Sequence, residues 1–499
     1  MAANRIKIDL DRRVGTVDRR IFGGFIEHLG RCIYGGIFEE GSPLSDERGY
    51  RRDVLSALTD LHMPVLRWPG GNFVSGYHWQ DGIGPRDQRP RRMDLAWHTE
   101  ESNRFGTLEF LEYCRRLGTE PHVCVNLGTG TQDEAQAWVE FCNGTGNTYW
   151  ANLRRHYGYD EPFRVKYWGL GNEMYGGWQI GALTAEDYVK KAREFAKAML
   201  WTDPAIELIS CGHNGWSDWD RIVLEGLARL VRLHSIHIYT GNDDYYRNVL
   251  APLQAERALK LSRALIDQVC FNQGISHEIG IAYDEWNVWF RARGNETALE
   301  ERYTLADALA VATFLNIFVR QSATVKMANL AQMVNVIAPV FTSFEGLFLQ
   351  TIYYPLRLLS THTQEVALAA WVACDTYDFP DEVRHSVQRP QIADLGPFPL
   401  LDVAATCSPN GQSLTLSVVN RSLDSAAETD LQLQDAAFAG NGMSHEVNAA
   451  SVLAGNSLEQ PLNVGVTSRA VLAAGSRLTY AFPAHSLTVL TLPVSRSAS

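Results

Sequence analysis

Along residues 16–364 one pattern recurs: a short apolar run ending in polar or glycine-rich residues, then a longer segment with apolar positions three and four apart. The runs are "IFGGFIEHLG" (21–30), "PVLRWPGGN" (64–72), "PHVCVNLGTG" (121–130), "VKYWGLGNE" (165–173), "ELISCGHN" (207–214), "HSIHIYT" (234–240), "IGIAYDEWN" (279–287) and "VKMANLAQMVNVI" (325–337). The segments between them read as helices, for example over 106–118, 184–200 and 305–321, and Thr184 with Asp187 three residues on supplies an N-terminal cap for the second. Eight strand–helix repeats predict a closed (β/α)8 TIM barrel rather than an open doubly wound sheet.

After residue 364 the texture changes. Alternating runs such as "SLTLSVV" (413–419) and "SLTVLTL" (486–492), set between Gly, Asn, Ser and Asp clusters, predict an antiparallel, jelly-roll-like β-sandwich over 365–499. "RIKIDL" (5–10) alternates in the same way, so a strand from residues 1–15 is expected to complete that domain. A chain of 499 residues is too long for one ordinary core and suits one large domain with a smaller one.

Charge narrows the partners. A formal net charge of −12 argues against nucleic acid or an anionic membrane, which call for a basic face, and favours a neutral substrate. No apolar run approaches the ~20 residues of a membrane span, and the charged start "MAANRIKIDLDRR" lacks the apolar core of a secretory signal. The eight cysteines form no C-x-x-C pair, so they read as buried reduced thiols of a cytoplasmic protein.

In a (β/α)8 barrel the site lies at the C-terminal ends of the strands. Those ends carry Glu27 and His28, Arg67 and Asn72, Asn126, Asn172 and Glu173, His213 and Asn214, His237 and Tyr239, Glu285, and Gln332 with Asn335. Trp68, Trp79, Trp97, Trp178, Trp286 and Trp289 lie near them in sequence. Hydroxyls need directional partners and the C–H faces of a sugar pack on indoles, so this set points to a carbohydrate. Polar residues also occur at strand ends because they meet solvent, but that does not account for all eight.

Glu173 after the fourth run and Glu285 after the seventh stand out. Hydrolysis with retention needs one carboxylic acid and one carboxylate about 5–5.5 Å apart, which strands facing each other across a closed barrel provide. "GLGNE" and "YDEWN" resemble the acid/base and nucleophile signatures of the retaining clan A glycoside hydrolases. "FGGFIEHLGRCIYGGIFE" (22–39), "LRWPGGNFVSGYHWQDGIGP" (66–85), "RPRRMDLAW" (89–97), "NLGTGT" (126–131) and "LAQMVNVIAP" (330–339) resemble, more narrowly, glycoside hydrolase family 51, the α-L-arabinofuranosidases.

That resemblance implies roles. Glu173 becomes the general acid/base and Glu285 the nucleophile; Asn172 meets the sugar 2-hydroxyl; Glu27, Asn72 and Gln332 hold the remaining furanose hydroxyls. Tyr239 matches the tyrosine that bonds the nucleophile, and His237 shares its face of the strand. Arg67 is placed to keep Glu285 ionised, and Trp97 and Trp289 resemble aromatics of the pocket mouth. The mechanism further expects Glu173 to hold its proton while Glu285 has lost its own. The expected substrate is an arabinofuranosyl-containing oligosaccharide, with no metal or organic cofactor, and family members are commonly homo-oligomers, often hexamers. The segment 288–307 is shorter than in many bacterial relatives, which bears on any preference for polymers.

Other readings are weaker. "GLGNEMYGG" and "GTGTQDE" contain G-x-G, but Met174 and Asp133 occupy the third glycine's place of a nucleotide-binding turn. His234 and His237 fall on opposite faces of a strand, against a metal hydrolase. A non-catalytic carbohydrate-binding protein has no need of both glutamates, and a clan A β-glycosidase, β-xylosidase or endoglucanase remains the enzymatic alternative.

Overall fold

The computed structural model describes residues 4–291, 299–386 and 391–496; part of the 288–307 segment therefore lies outside the described residues. Eight strands, Gly23–Phe25, Val65–Trp68, Glu120–Val125, Tyr167–Leu170, Glu207–Ser210, Leu233–Thr240, Gly280–Val288 and Val325–Ala331, pair in parallel, each with the next. The eighth returns to the first, with Asn329 beside Gly23, and closes the barrel. They are called the first to eighth barrel strands below. Toward their N-terminal ends the interior is plugged by Val65, Tyr167, Ile209, Leu233, Ala282 and Met327. The polar interior positions lie above that plug.

Helices Thr107–Leu117, Ala185–Thr202 and Leu305–Arg320 occupy the three segments with helical spacing. Thr184 caps the second by accepting from the Asp187 amide at 3.2 Å. The third is apolar on all sides because it is buried on all sides, lying between the barrel and the C-terminal sheet. Its two polar groups on the sheet side, Asn316 and Arg320, reach the buried Asp402 at 2.9 and 3.0 Å.

The C-terminal domain is one nine-stranded sheet in the order 465–475, 436–448, 486–496, 413–420, 401–407, 366–373, 4–16, 427–434, 477–482. Its two edge strands are consecutive in the chain, and all nine strands contribute to one apolar core, so the sheet folds over on itself as a sandwich. Alternate residues Leu414, Leu416 and Val418 face that core, whereas Val419, Leu487 and Val489 join the core that includes the barrel. One pairing is not antiparallel as expected: Asn4–Thr16 runs antiparallel to Val366–Ala373 but parallel to Ala427–Gln434. A strand drawn from the far end of the chain is not held to the alternation that hairpin turns impose. All eight cysteines are free; six are buried, while Cys270 and Cys374 are half-buried.

Candidate active site

The fourth strand ends in a sharp turn. Gly171 takes φ +81° in the left-handed region, where a side chain would also press on Leu127 and Met174. Glu173 follows with φ +42°, a strained setting for a residue with a Cβ, of the kind that concentrates at functional sites. The turn throws its carboxylate over the barrel. There Tyr175 donates its hydroxyl at 3.1 Å, the Trp178 indole donates at 2.9 Å, and His237 Nδ1 lies at 3.0 Å.

Glu285 is inside the seventh strand rather than beyond it. Ala282 is level with Ser235 and Glu285 with His237, so the seventh strand spends one residue more than the sixth between these pairings. This β-bulge breaks the period of two. Tyr283 and Trp286 both turn outward onto Phe314 and Phe318, and the two residues between them, Asp284 and Glu285, both point into the barrel.

Arg67, 1% exposed, ties the floor together. It donates to Glu285 Oε1 at 2.8 Å, to the Asp284 carbonyl at 3.0 Å and to Asn172 Oδ1 at 2.6 Å. Tyr239 donates to the other oxygen, Glu285 Oε2, at 2.9 Å. Single atoms of Glu173, His237 and Glu285 all lie within 4.8 Å of one another. In this trio both nitrogens of His237 face carboxylates, Glu173 at 3.0 Å and Asp284 at 3.2 Å, the setting of an imidazole that donates on both sides.

On the opposite wall Glu27 is gripped by three donors: the Phe73 amide at 3.0 Å, the Trp97 indole at 3.1 Å and Gln332 Nε2 at 2.9 Å. Gly70 and Gly71 allow this, since a Cβ on Gly71 would come within 2.3 Å of Glu27 Oε2. Gln332 Oε1 is buried without a partner. These groups open on a cavity of about 460 Å³, lined by Glu27, Asn72, Glu173, Tyr239, Glu285 and Gln332 and walled by Trp97, Trp178, Trp289, Leu29, Leu299 and Ile337. Arg67, Asn172 and His237 are not in that lining; they lie under it and act on it through hydrogen bonds.

Several strand-end residues serve the fold instead. Asn126 donates to the Tyr77 carbonyl and to Thr129, Asn335 bonds Arg31 and Thr342, and His28 sits between Glu101 and Trp68. Trp68 stacks on Phe110 and Trp79 on Trp138, and Trp286 packs outside the barrel, so these three indoles offer nothing to a sugar. Sequence reasoning also missed Asp284. The adjacent acids of "YDEWN" are its trace in the chain, but strict alternation sends one of them out of the barrel, and only the bulge brings both in.

The electrostatics overturn one expectation. Burial raises Glu173, yet the His237, Trp178 and Tyr175 contacts outweigh it and hold the carboxyl below its usual range. Burial, with the charges of Glu173 and Asp284, outweighs His237 and Arg67 and lifts Glu285 above its own. The order is thus the reverse of the one expected for an acid at Glu173 and a base at Glu285. The reason is His237. Burial opposes its charge, but Glu285, Asp284 and Glu173 together push it up to about 10, so the proton expected on Glu173 resides on the imidazole 3.0 Å away. Glu285 still takes donors on both oxygens, the arrangement of a carboxylate. Asp284 is held well below the usual range: burial is outweighed by Arg67 and His237. Glu27 is pushed up to about 7, by burial first.

Known proteins match this chain along its length. The family model "Alpha-L-arabinofuranosidase 1 domain" matches residues 57–255, and "Alpha-L-arabinofuranosidase C-terminal domain" matches 284–486. The alpha-L-arabinofuranosidase C of Emericella nidulans is 44% identical over 97% of this chain and 96% of its own. The intracellular exo-alpha-(1->5)-L-arabinofuranosidase 1 of Bacillus subtilis is 40% identical over 87% of this chain and 88% of its own. In structure, the alpha-L-arabinofuranosidase of Thermotoga maritima in its arabinose complex superposes with a TM-score of 0.90 at 42% identity, over 98% of this chain and 100% of that one. A Paenibacillus polymyxa xyloglucanase of glycoside hydrolase family 44, with a TM-score of 0.63 at 14% identity, shares the fold alone.

Proposed function

The chain belongs to the α-L-arabinofuranosidases of glycoside hydrolase family 51, and on that premise we propose that its pocket removes terminal non-reducing L-arabinofuranose from arabinan- or arabinoxylan-derived oligosaccharides by double displacement. The observation that carries the assignment of roles is the approach of Glu173 and Glu285 from the fourth and seventh strands to within 4.8 Å across the pocket floor. That spacing suits an attacking carboxylate beside an acid, and leaves no room for the water an inverting pair would hold between them.

Glu285 attacks the anomeric carbon. Arg67 and Tyr239 leave its lone pairs directed and its charge compensated. Glu173 protonates the departing oxygen and later activates water. Glu27, Asn72 and Gln332 hold ring hydroxyls, with the unpartnered Gln332 Oε1 an acceptor for one of them. Asn172 acts from beneath, its amide oxygen engaged by Arg67. A pocket of about 460 Å³ walled by three indoles and three aliphatic side chains admits one terminal sugar and supports exo cleavage. The cytoplasm is the proposed location, supported by the Bacillus subtilis relative that is named intracellular. The family also favours a homo-oligomer, with a hexamer the form proposed, and the units proposed are a barrel over 16–364 and a sandwich over 365–499 completed by the strand from 1–15.

The test is hydrolysis of 4-nitrophenyl α-L-arabinofuranoside by wild type, Glu173→Ala and Glu285→Ala, each with and without azide. Turnover by wild type, loss in both variants, and rescue giving arabinosyl azides of opposite anomeric configuration are expected. Rescue to the same anomer in both variants, or none in either, would refute the roles.

A further inference from the structure

His237 is the group that the roles above leave unexplained. Its ring lies in the barrel with Nδ1 at 3.0 Å from Glu173 Oε1 and 3.6 Å from Glu285 Oε2, and Nε2 at 3.2 Å from Asp284 Oδ1. Every element packed against it presents a charged or titratable group: Glu173 after the fourth strand, His213 after the fifth, Asp284 and Glu285 in the seventh, and Arg67 and His122 deeper in the second and third. Asp284 is itself fixed, by the Ser235 hydroxyl and by Arg67. It does not line the pocket.

We propose that Asp284 is a positioning residue for acid catalysis: by accepting from His237 Nε2 it keeps the imidazole doubly protonated with Nδ1 toward Glu173, so that His237 and Glu173 store one proton between them. The inference rests on the assignment of Glu173 and Glu285 above. Glu285 Oε2 lies 3.6 Å from His237 Nδ1, so the nucleophile's own charge helps to hold the proton in place. When Glu285 forms its ester with the anomeric carbon, that charge is lost and the imidazolium weakens.

The glycosidic C–O bond breaks and its electron pair leaves with the oxygen; His237 Nδ1 passes its proton to the Glu173 carboxylate, and Glu173 hands a proton on to that oxygen. The products are the released alcohol, a neutral imidazole, a Glu173 carboxylate and the Glu285 ester. In the second step water adds to the anomeric carbon, the ester C–O bond breaks and returns a carboxylate to Glu285, and the proton leaving water passes through Glu173 to His237. The cycle closes with no proton gained or lost.

The experiment compares kcat/KM against pH for 4-nitrophenyl α-L-arabinofuranoside, whose leaving group needs no acid, and methyl α-L-arabinofuranoside, whose leaving group does. In Asp284→Asn the high-pH limb for the methyl glycoside should move down by about one pH unit or more, as expected when a charge in hydrogen-bond contact is removed. The loss at neutral pH should be about tenfold or more greater for the methyl glycoside than for the 4-nitrophenyl one. His237→Gln keeps a donor toward Glu173 but stores no proton, and should show the same leaving-group dependence. Equal losses on both substrates with the limb unmoved, in either variant, would overturn the proposal and leave Asp284 as a support for Arg67 and the strand. Failure of the azide rescue in Glu173→Ala would instead strike the assignment on which this inference rests, so the two failures are told apart.

Discussion

Gly71→Ala tests how the pocket grips a ring hydroxyl without touching any catalytic group. The added Cβ would lie 2.3 Å from Glu27 Oε2 and 2.6 Å from Oε1, where ordinary contact begins near 3.4 Å. The carboxylate must retreat by about 1 Å, the difference between those distances. It cannot do so and keep its donors, because Phe73, Trp97 and Gln332 already hold it at 3.0, 3.1 and 2.9 Å. A displacement of that size takes a hydrogen bond out of range. Losing one charge-assisted bond to a sugar hydroxyl costs about 1.5–3 kcal/mol, or roughly 10- to 150-fold in kcat/KM. The assay is kcat/KM on 4-nitrophenyl α-L-arabinofuranoside, with the thermal midpoint measured alongside to separate a moved carboxylate from an unfolded chain. Gly465→Ala, where a Cβ meets nothing within 4 Å, is the control for loss of a glycine. A folded Gly71→Ala protein with unaltered kcat/KM would show that Glu27 does not hold the sugar from this position.

Tyr239→Phe removes the 2.9 Å donor to Glu285 and should raise the acidic limb of kcat/KM by about one pH unit, since one unit corresponds to about 1.4 kcal/mol of lost carboxylate stabilisation; an unmoved limb counts against Glu285 as the group titrating there. Glu27 is raised in the fold to about 7 from 4.5, so its favourable contribution is complete below 4.5 and is lost as pH rises through 7. Glu27→Gln should therefore gain stability relative to wild type at pH 8 compared with pH 4, by about 3 kcal/mol at most, while losing activity; denaturant unfolding at the two pH values measures this. Asp220 caps the turn after the fifth strand, accepting from the His213, Gly215 and Ser217 amides; burial raises it, but His234 at 3.0 Å and these amides outweigh that and lower it to about 2 from 3.8. Its contribution is present above 3.8 and lost as pH falls through 2, so Asp220→Asn should cost about 2 kcal/mol at pH 7 and progressively less toward pH 2 in the same unfolding measurement.

Much of the fold was legible because its signals are local. Eight apolar runs correspond to eight barrel strands, and the helical spacing over 305–321 marked the helix at Leu305–Arg320, though not its place between two layers. What escaped depends on register and on contacts between distant segments. The parallel pairing of Asn4–Thr16 with Ala427–Gln434 joins residues more than 400 positions apart, and no local pattern encodes its direction. At the site, strand-end placement located Glu27, Glu173, Tyr239, Glu285 and Gln332 on the pocket, but residue type cannot separate Asn72, which lines it, from Asn126 and Asn335, which bond loops. Likewise nothing in the letter W distinguishes Trp97 on the pocket from Trp68 stacked in the core. Asp284 needed the bulge, and one extra residue in a strand leaves no mark until the neighbouring strand is in view.

The same bulge ties charge to geometry. Glu27, Glu173, Asp284 and Glu285 place four carboxyl groups against two cations, Arg67 and His237. A surplus of negative charge is unfavourable in a buried site, but it faces a transition state with positive charge on the anomeric carbon. Two features restrain the surplus: Glu27 is raised toward neutrality, and His237 retains a proton that an isolated imidazole would lose. Without Asp284 pointing inward, His237 has one carboxylate fewer and Arg67 loses a partner, so both cations weaken together. The inserted residue therefore sets how many protons the site carries, and the order in which Glu173 and His237 release them follows from which carboxylate is consumed first, namely Glu285.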